Sequence, residues 1–307
     1  MSGTRVSAEP LPASPAIDAG GMRLLDRHPG LRSWLLVLPG TIWMAIFVGI
    51  PMASIVLFSF WKSGFAGLVP DYSIRNYASL VRSHTFWSIT LWTYEVVLMA
   101  LAGVILLSYP AAYIIWRVLR DERWKTAILL LCIVPFWTSY LTRTITWLPM
   151  FGREGVVNRG LEFLGLIDQP IELLLYTPYS MMWALWFLYI VFMIGPLYHS
   201  MRRIDDDVMS AAAVLGATPL RTFFHVVVPL TRPGLMAGAL FVVVLGMGEF
   251  FTERVIGGAQ HPMLAGLILR QIDIFQWASA SAIAVALTIL TLITVSAMLR
   301  FFDLRRV

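Results

Sequence analysis

The sequence predicts an all-α, polytopic membrane protein with six transmembrane helices and a helical loop on the cytoplasmic side. Three observations carry this. Of 307 residues, 58% are hydrophobic and 13% charged, whereas soluble domains hold about 45–50% apolar and about 25% charged residues. The mean hydropathy is +0.75. The apolar residues come in blocks of bilayer length, about 20 residues each. So little charge cannot coat a water-facing surface, which excludes a soluble enzyme, and so much apolar surface excludes a disordered chain.

The six blocks are residues 34–60, 89–116, 126–148, 179–199, 235–251 and 278–302. The first is too long for a signal-peptide core and has no small-residue cleavage site after it, so it reads as an uncleaved span. Residues 1–30, rich in Pro, Gly, Ala and Ser, read as a flexible cytoplasmic tail, and 31–307 as a single transmembrane domain. Pro39, Pro51, Pro110, Pro135, Pro149 and Pro196 fall within or at the ends of blocks. Each removes a backbone donor, so each sets helix geometry or marks a hinge.

Orientation follows from most of the 23 basic residues. Arg5, Arg23, Arg27 and Arg32 precede the first block. Arg117, Arg120, Arg123 and Lys125 follow the second. Arg202, Arg203, Arg221 and Arg232 follow the fourth, and Arg300, Arg305 and Arg306 end the chain. Basic loops stay in the cytoplasm, which places both termini there. The net charge of +5 is read the same way, as basic cytoplasmic loops rather than affinity for nucleic acid. The single cysteine, Cys132, rules out an intrachain disulfide.

The loop after block four carries the sharpest pattern. Asp205, Asp206 and Asp207 precede residues 210–215, Ser-Ala-Ala-Ala-Val-Leu. Acids favour a helix N-terminus and Ala is the strongest helix former. Gly216 then ends that helix. Thr218-Pro219 begins a second, with Leu220, Phe223, Phe224 and Val227 as one apolar stripe and Pro229 as terminator. Composition alone permits an interfacial helix pair resting on the membrane. Spacing says more: Ser210-Ala211-Ala212, three residues, Gly216, nine residues, then Val226-x-Val228-Pro229.

That order resembles the EAA loop of ABC-importer permeases, in which Glu-Ala-Ala, Gly and a closing Leu-Pro keep the same distances. Ser210 stands where the family has Glu. The resemblance implies that Ala211, Ala212 and Gly216, with Ser210 and Pro229 bounding the motif, form a coupling helix that docks on an ATPase subunit. Asp206 or Asp207 stands near the missing charge. Residues 135–140 with Arg143-Thr144, residues 152–158 with 164–167, and Tyr109-Pro110-Ala111-Ala112-Tyr113 resemble the spermidine/putrescine branch. So do Gly195-Pro196-Leu197-Tyr198 and Gly248-Glu249-Phe250. The resemblance implies a bacterial inner-membrane permease importing polyamines or related cationic solutes by alternating access. Its implied partners are two ATP-binding subunits, a second and different permease, a periplasmic solute-binding protein and the lipid bilayer, with no nucleic acid.

No nucleotide site is expected in this chain. A phosphate-binding loop needs Gly-Lys-Ser/Thr, and the only lysines, Lys62 and Lys125, follow tryptophans. The chain is thus expected to be no enzyme and to hold no cofactor, with ATP and Mg²⁺ in the partner. His28, His84, His199, His225 and His261 show no metal-ligand spacing. A secondary transporter or channel is the alternative; it calls for inverted halves or a polar filter, which are not evident. A membrane-embedded enzyme would need clustered nucleophile, base or metal ligands.

Ionisable residues inside spans are costly and mark function by default. At 1.5 Å per residue, Glu95, Arg143 and Glu249 lie about 9, 25 and 21 Å along their spans, all in the outer half. Either Arg143 pairs with Glu95 or Glu249 as a structural ion pair, or an acidic vestibule receives a cation. The vestibule would use Glu249, Glu253 and Asp273, with Trp137, Trp147 or Trp277 offering ring faces.

Overall fold

In a computed structural model of the chain, residues 29–64 and 67–301 are described. The expected tail therefore lies almost wholly outside the described residues. These residues fall into two units that divide between Ser54 and Ile55.

The described residues open with helix α1, built from Pro29–Met44, a π turn Ala45–Gly49 and Ile50–Phe58. Its side chains Val37, Trp43, Phe47 and Ile50 are exposed. An apolar exterior of this kind suits lipid, where only a self-bonded helix can stand.

The second unit takes in the end of α1 from Ile55 and continues with a small antiparallel hairpin, β1 (Lys62–Gly64) and β2 (Gly67–Val69), and helix α2 (Arg75–Arg82). Helix α3 (His84–Tyr113, extended by a π turn Ile114–Val118) follows; the Ser83 hydroxyl caps it by accepting from the Phe86 N–H. Next come α4 (Glu122–Ile133), a 3₁₀ turn Val134–Trp137, and the short helices α5 (Tyr140–Ile145), α6 (Trp147–Phe151) and α7 (Val156–Phe163). Helix α8 (Pro178–Met201) starts at a Thr177–Ser180 capping box. The loop helix α9 (Asp206–Val214) precedes α10, which runs as Pro219–Thr222, a π turn Phe223–Val227 and Val228–Leu230. Helices α11 (Arg232–Met247), α12 (Phe251–Val255), α13 (Leu264–Asp273) and α14 (Trp277–Phe301) complete the described residues.

Among the described residues, four helical stretches are long and apolar enough to cross a bilayer: Val37–Phe58, His84–Val118, Pro178–Met201 and Trp277–Phe301. Pro219–Leu230 and Arg232–Met247, bent by 69° at Thr231, form a fifth if counted as one span. The third expected span is not one helix. Pro135 lacks an N–H, and Thr138 and Ser139 turn into extended backbone (ψ 141° and 136°) before α5 starts.

The core lies where α3, α8 and α11 meet. Val96, Val104, Leu185, Met193, Leu197, Val242 and Met247 are buried there in one cluster. Small residues let the backbones close up, as in other membrane bundles. A Cβ at Gly103 would overlap the Trp186 ring, and one at Gly234 would overlap the Pro196 carbonyl.

Candidate functional site: a buried carboxylate and a cytoplasmic loop

Glu249 lies two residues past the end of α11, and the turn there aims its side chain back into the bundle. It is only 4% exposed. Its Oε1 accepts the backbone N–H of Thr252 at 2.8 Å, which tethers the carboxylate to the first turn of α12. Its Oε2 accepts the Tyr189 hydroxyl at 2.8 Å and also the Tyr140 hydroxyl. Tyr140 Oη lies a further 2.8 Å from Thr252 Oγ1. Tyr189 is brought by the middle of α8 and Tyr140 by the first residue of α5. The broken third span is thus what delivers a phenol to the carboxylate.

Three neutral donors surround this carboxylate, and among the described residues no Lys or Arg nitrogen lies within 4.0 Å of it. A cavity of ≈ 200 Å³ opens beside it, bordered by Tyr140, Arg143, Tyr189, Phe192, Glu249 and Phe250. Arg143 borders the same cavity, and its Nε is buried without a hydrogen-bond partner.

The remaining expected path residues are distributed differently. Glu253, one turn on, is 2% exposed. It pairs with Arg270 at 3.7 Å, and its Oε2 sits where a side chain on residue 266 would be, so Gly266 makes room for it. Burial pushes the Glu253 carboxyl above its ordinary range; Arg270 and the Met263 backbone oppose this and Glu249 adds to it. Asp273 pairs with Arg254 at 3.5 Å. Glu95 is exposed on α3 and joins no ion pair among the described residues. The expected ion pair of Arg143 with Glu95 or Glu249 is absent among the described residues. Glu253 and Asp273 spend their charge on arginines. Of the expected five, Glu249 and Arg143 share this cavity, whereas Glu253 and Asp273 border a second one together with Arg254 and Arg270. Trp147 stacks on Phe151 at 4.9 Å, and Trp137 and Trp277 are exposed; none borders this cavity.

Tyr140, Tyr189 and Thr252 were not among the expected site residues. Tyr189 carried a usable signal: a hydroxyl in mid-span must find an acceptor, and the acceptors available at depth are few.

The cytoplasmic loop follows its sequence pattern at the first helix. Asp205 caps α9 by accepting the Asp207 N–H at 3.4 Å, and Asp206 pairs with Arg117 at 2.8 Å. Gly216 has φ +77°, and Gly216 N–H and Ala217 N–H close the end on the carbonyls of Ala213 (2.9 Å) and Ala212 (3.0 Å). Ser210 and Ala211 are exposed and Ala212 is half-buried. Val214 and Leu215 stand out at 88% and 85% exposure.

The second helix departs from expectation. Pro229 does not terminate it; the helix runs on to Leu230, because the wide π turn Phe223–Val227 takes up the missing donor and the ring's bulk ahead of the proline. The extra residue in that turn splits the single stripe. Val227 is buried and Phe223 packs on the core, whereas Leu220 and Phe224 are exposed.

Comparison with known proteins agrees with this architecture. Residues 108–306 match the family model described as binding-protein-dependent transport system inner membrane component. The chain is 32% identical over 249 residues to the spermidine/putrescine transport system permease protein PotB of Escherichia coli K12, covering 80% of this chain and 89% of that protein. It is 30% identical over 252 residues to PotB of Haemophilus influenzae, covering 81% and 86%. In fold it is similar to a chain in the crystal structure of a bacterial alginate ABC transporter in complex with alginate pentasaccharide-bound periplasmic protein. The TM-score is 0.68 at 16% identity, over 90% of this chain and 94% of that one. The chain belongs to the inner-membrane permease family of binding-protein-dependent ABC importers.

Proposed function

We propose that this permease imports a polyamine or a related slender cation, and that Glu249 is the residue at which the solute's ammonium is held in transit. The observation that carries the reading is a buried carboxylate with neutral donors only, opening on a cavity ringed by Tyr140, Tyr189, Phe192 and Phe250, with Arg143 on its border but not paired to the carboxylate. A carboxylate has about four acceptor positions, and the three hydrogen bonds here leave one on Oε1. Aromatic faces favour the same ligand charge. The two PotB relatives carry spermidine/putrescine transport in their names, which supports the same class.

In this reading the solute arrives on a periplasmic binding protein, and the path is completed by a second, different permease. Two ATP-binding subunits hold the ATP and Mg²⁺ and dock on Ser210, Ala211, Ala212 and Gly216. Exposed Val214 and Leu215 give that dock an apolar knob, and both termini and the loop face the cytoplasm.

The test is ATP-driven uptake of labelled spermidine by the reconstituted transporter carrying Glu249→Gln. A hydrogen bond to a charged group is worth about 1.5–3 kcal/mol, so uptake at limiting solute falls about tenfold or more. Wild-type uptake by a correctly assembled variant removes Glu249 from the path.

A further inference from the structure

Arg143 and Glu249 border one cavity, yet their charged groups do not pair. Both are left in an uncomfortable state. Glu249 is a buried carboxyl with no Lys or Arg nitrogen within 4.0 Å among the described residues, and Arg143 keeps a buried Nε with no acceptor. Each lacks what the other carries.

The helix between them explains how they can be brought together. Arg143 and Tyr140 stand three residues apart on α5, hence on one face, and Tyr140 already reaches Glu249. Helix α5 is only six residues long. It is cut off on one side by extended Thr138 and Ser139 and passes at Thr146 into the separate helix α6. Sliding such a segment past its neighbour by about 4.5 Å, three residues at about 1.5 Å each, brings residue 143 to the level that residue 140 held.

We propose that Arg143 is a tethered substitute for the solute. It pairs with Glu249 in the solute-free stage of the cycle, when Tyr140 has withdrawn. An arriving ammonium displaces it, and it returns when the solute leaves. Two consequences follow. Only a solute cation that outcompetes a local guanidinium is accepted, so a weakly paired cation fails at this point. The returning guanidinium also closes the carboxylate to solute re-entering from the cytoplasm, which helps make import one-way. This rests on Glu249 being the solute's station.

The experiment uses the complete transporter, both permeases with their ATPase subunits, and measures equilibrium binding of tritiated spermidine. Removing a competing internal cation strengthens binding. Arg143→Gln, and Arg143→Met as a second neutral variant should the first fail to assemble, are expected to tighten spermidine binding about tenfold. Arg143→Lys keeps a tethered cation and is expected to remain near wild type. In a Glu249→Gln background, Arg143→Gln is expected to add no gain. A side chain that merely supports the fold would give the opposite sign, weaker binding. Unchanged or weaker binding in the neutral variants, or a gain that persists without the Glu249 carboxylate, overturns the substitution. Wild-type binding by Glu249→Gln alone overturns the station instead, and no binding by any variant overturns the cationic solute.

Discussion

At the scale of single residues, Glu253 shows what burial does to an acid that already has a partner. It is 2% exposed and faces an arginine that is itself half in solvent. Its carboxyl holds a proton more tightly in the folded protein than in the unfolded chain. The folded state therefore binds more protons in the window between the ordinary glutamate value and the raised one, and stability falls as pH rises through that window. Below the window the contribution is fully present. The thermal midpoint of the detergent-solubilised protein is expected to decline across this range, and Glu253→Gln, neutral throughout, is expected to lose that decline. An equal slope in both proteins would refute the assignment. Glu253 was legible in the sequence as an acid at the end of a span, but its arginine was not: Arg270 lies on α13, and only the turn at 257–263 brings it back. Glu249 was legible for the same reason, as a charge in an apolar run. Its tyrosines were hidden because aromatic residues abound in these blocks and most of them pack or meet lipid.

At the scale of elements, the loop helix α9 and the broken third span teach opposite lessons. The end of α9 could be read directly, since Gly216 needs φ +77° and glycine alone takes it without strain. A β-branched residue there is strained, while asparagine tolerates the left-handed region. Gly216→Val is expected to cost about 1–2 kcal/mol locally and to abolish co-purification of the ATPase subunits, whereas Gly216→Asn retains them. Equal retention by both variants would separate the turn from the dock. In block three, Pro135 announced a kink, but nothing in the apolar count announced that Thr138 and Ser139 would leave helical space altogether. The π turn at Phe223–Val227 was likewise illegible. It depends on how Pro229 is accommodated against its neighbours rather than on any pattern within the helix.

At the scale of the whole molecule, the block pattern located the long helices, because bilayer thickness dictates their length. It did not say which would meet. The α3–α8 contact is decided by small residues facing large ones. The indole of Trp186 lies over Gly103 and donates to the Met99 carbonyl at 3.3 Å. Gly103→Ala places a methyl inside that ring, and overpacking of this kind costs about 1–3 kcal/mol. The expected outcome is a lower thermal midpoint, largely recovered by adding Trp186→Leu. A midpoint unchanged by Gly103→Ala would mean that the two helices yield more readily than their packing implies. Buried methionines line the same core, among them Met181, Met182, Met193, Met201 and Met247. Their unbranched, adaptable side chains suit helices that must slide and still stay packed.

The 69° angle between α10 and α11 makes this part of the chain a bell crank. Its fulcrum is Thr231, whose hydroxyl donates to the Val227 carbonyl at 2.8 Å and meets the Tyr109 hydroxyl at 3.2 Å. The short arm, Pro219–Leu230, is about 18 Å long and the long arm, Arg232–Met247, about 24 Å at 1.5 Å per residue. A sideways shove on the loop therefore swings the far tip, where Glu249 begins, by about one-third more than the shove itself. The lengths of two helices set the gain of the machine.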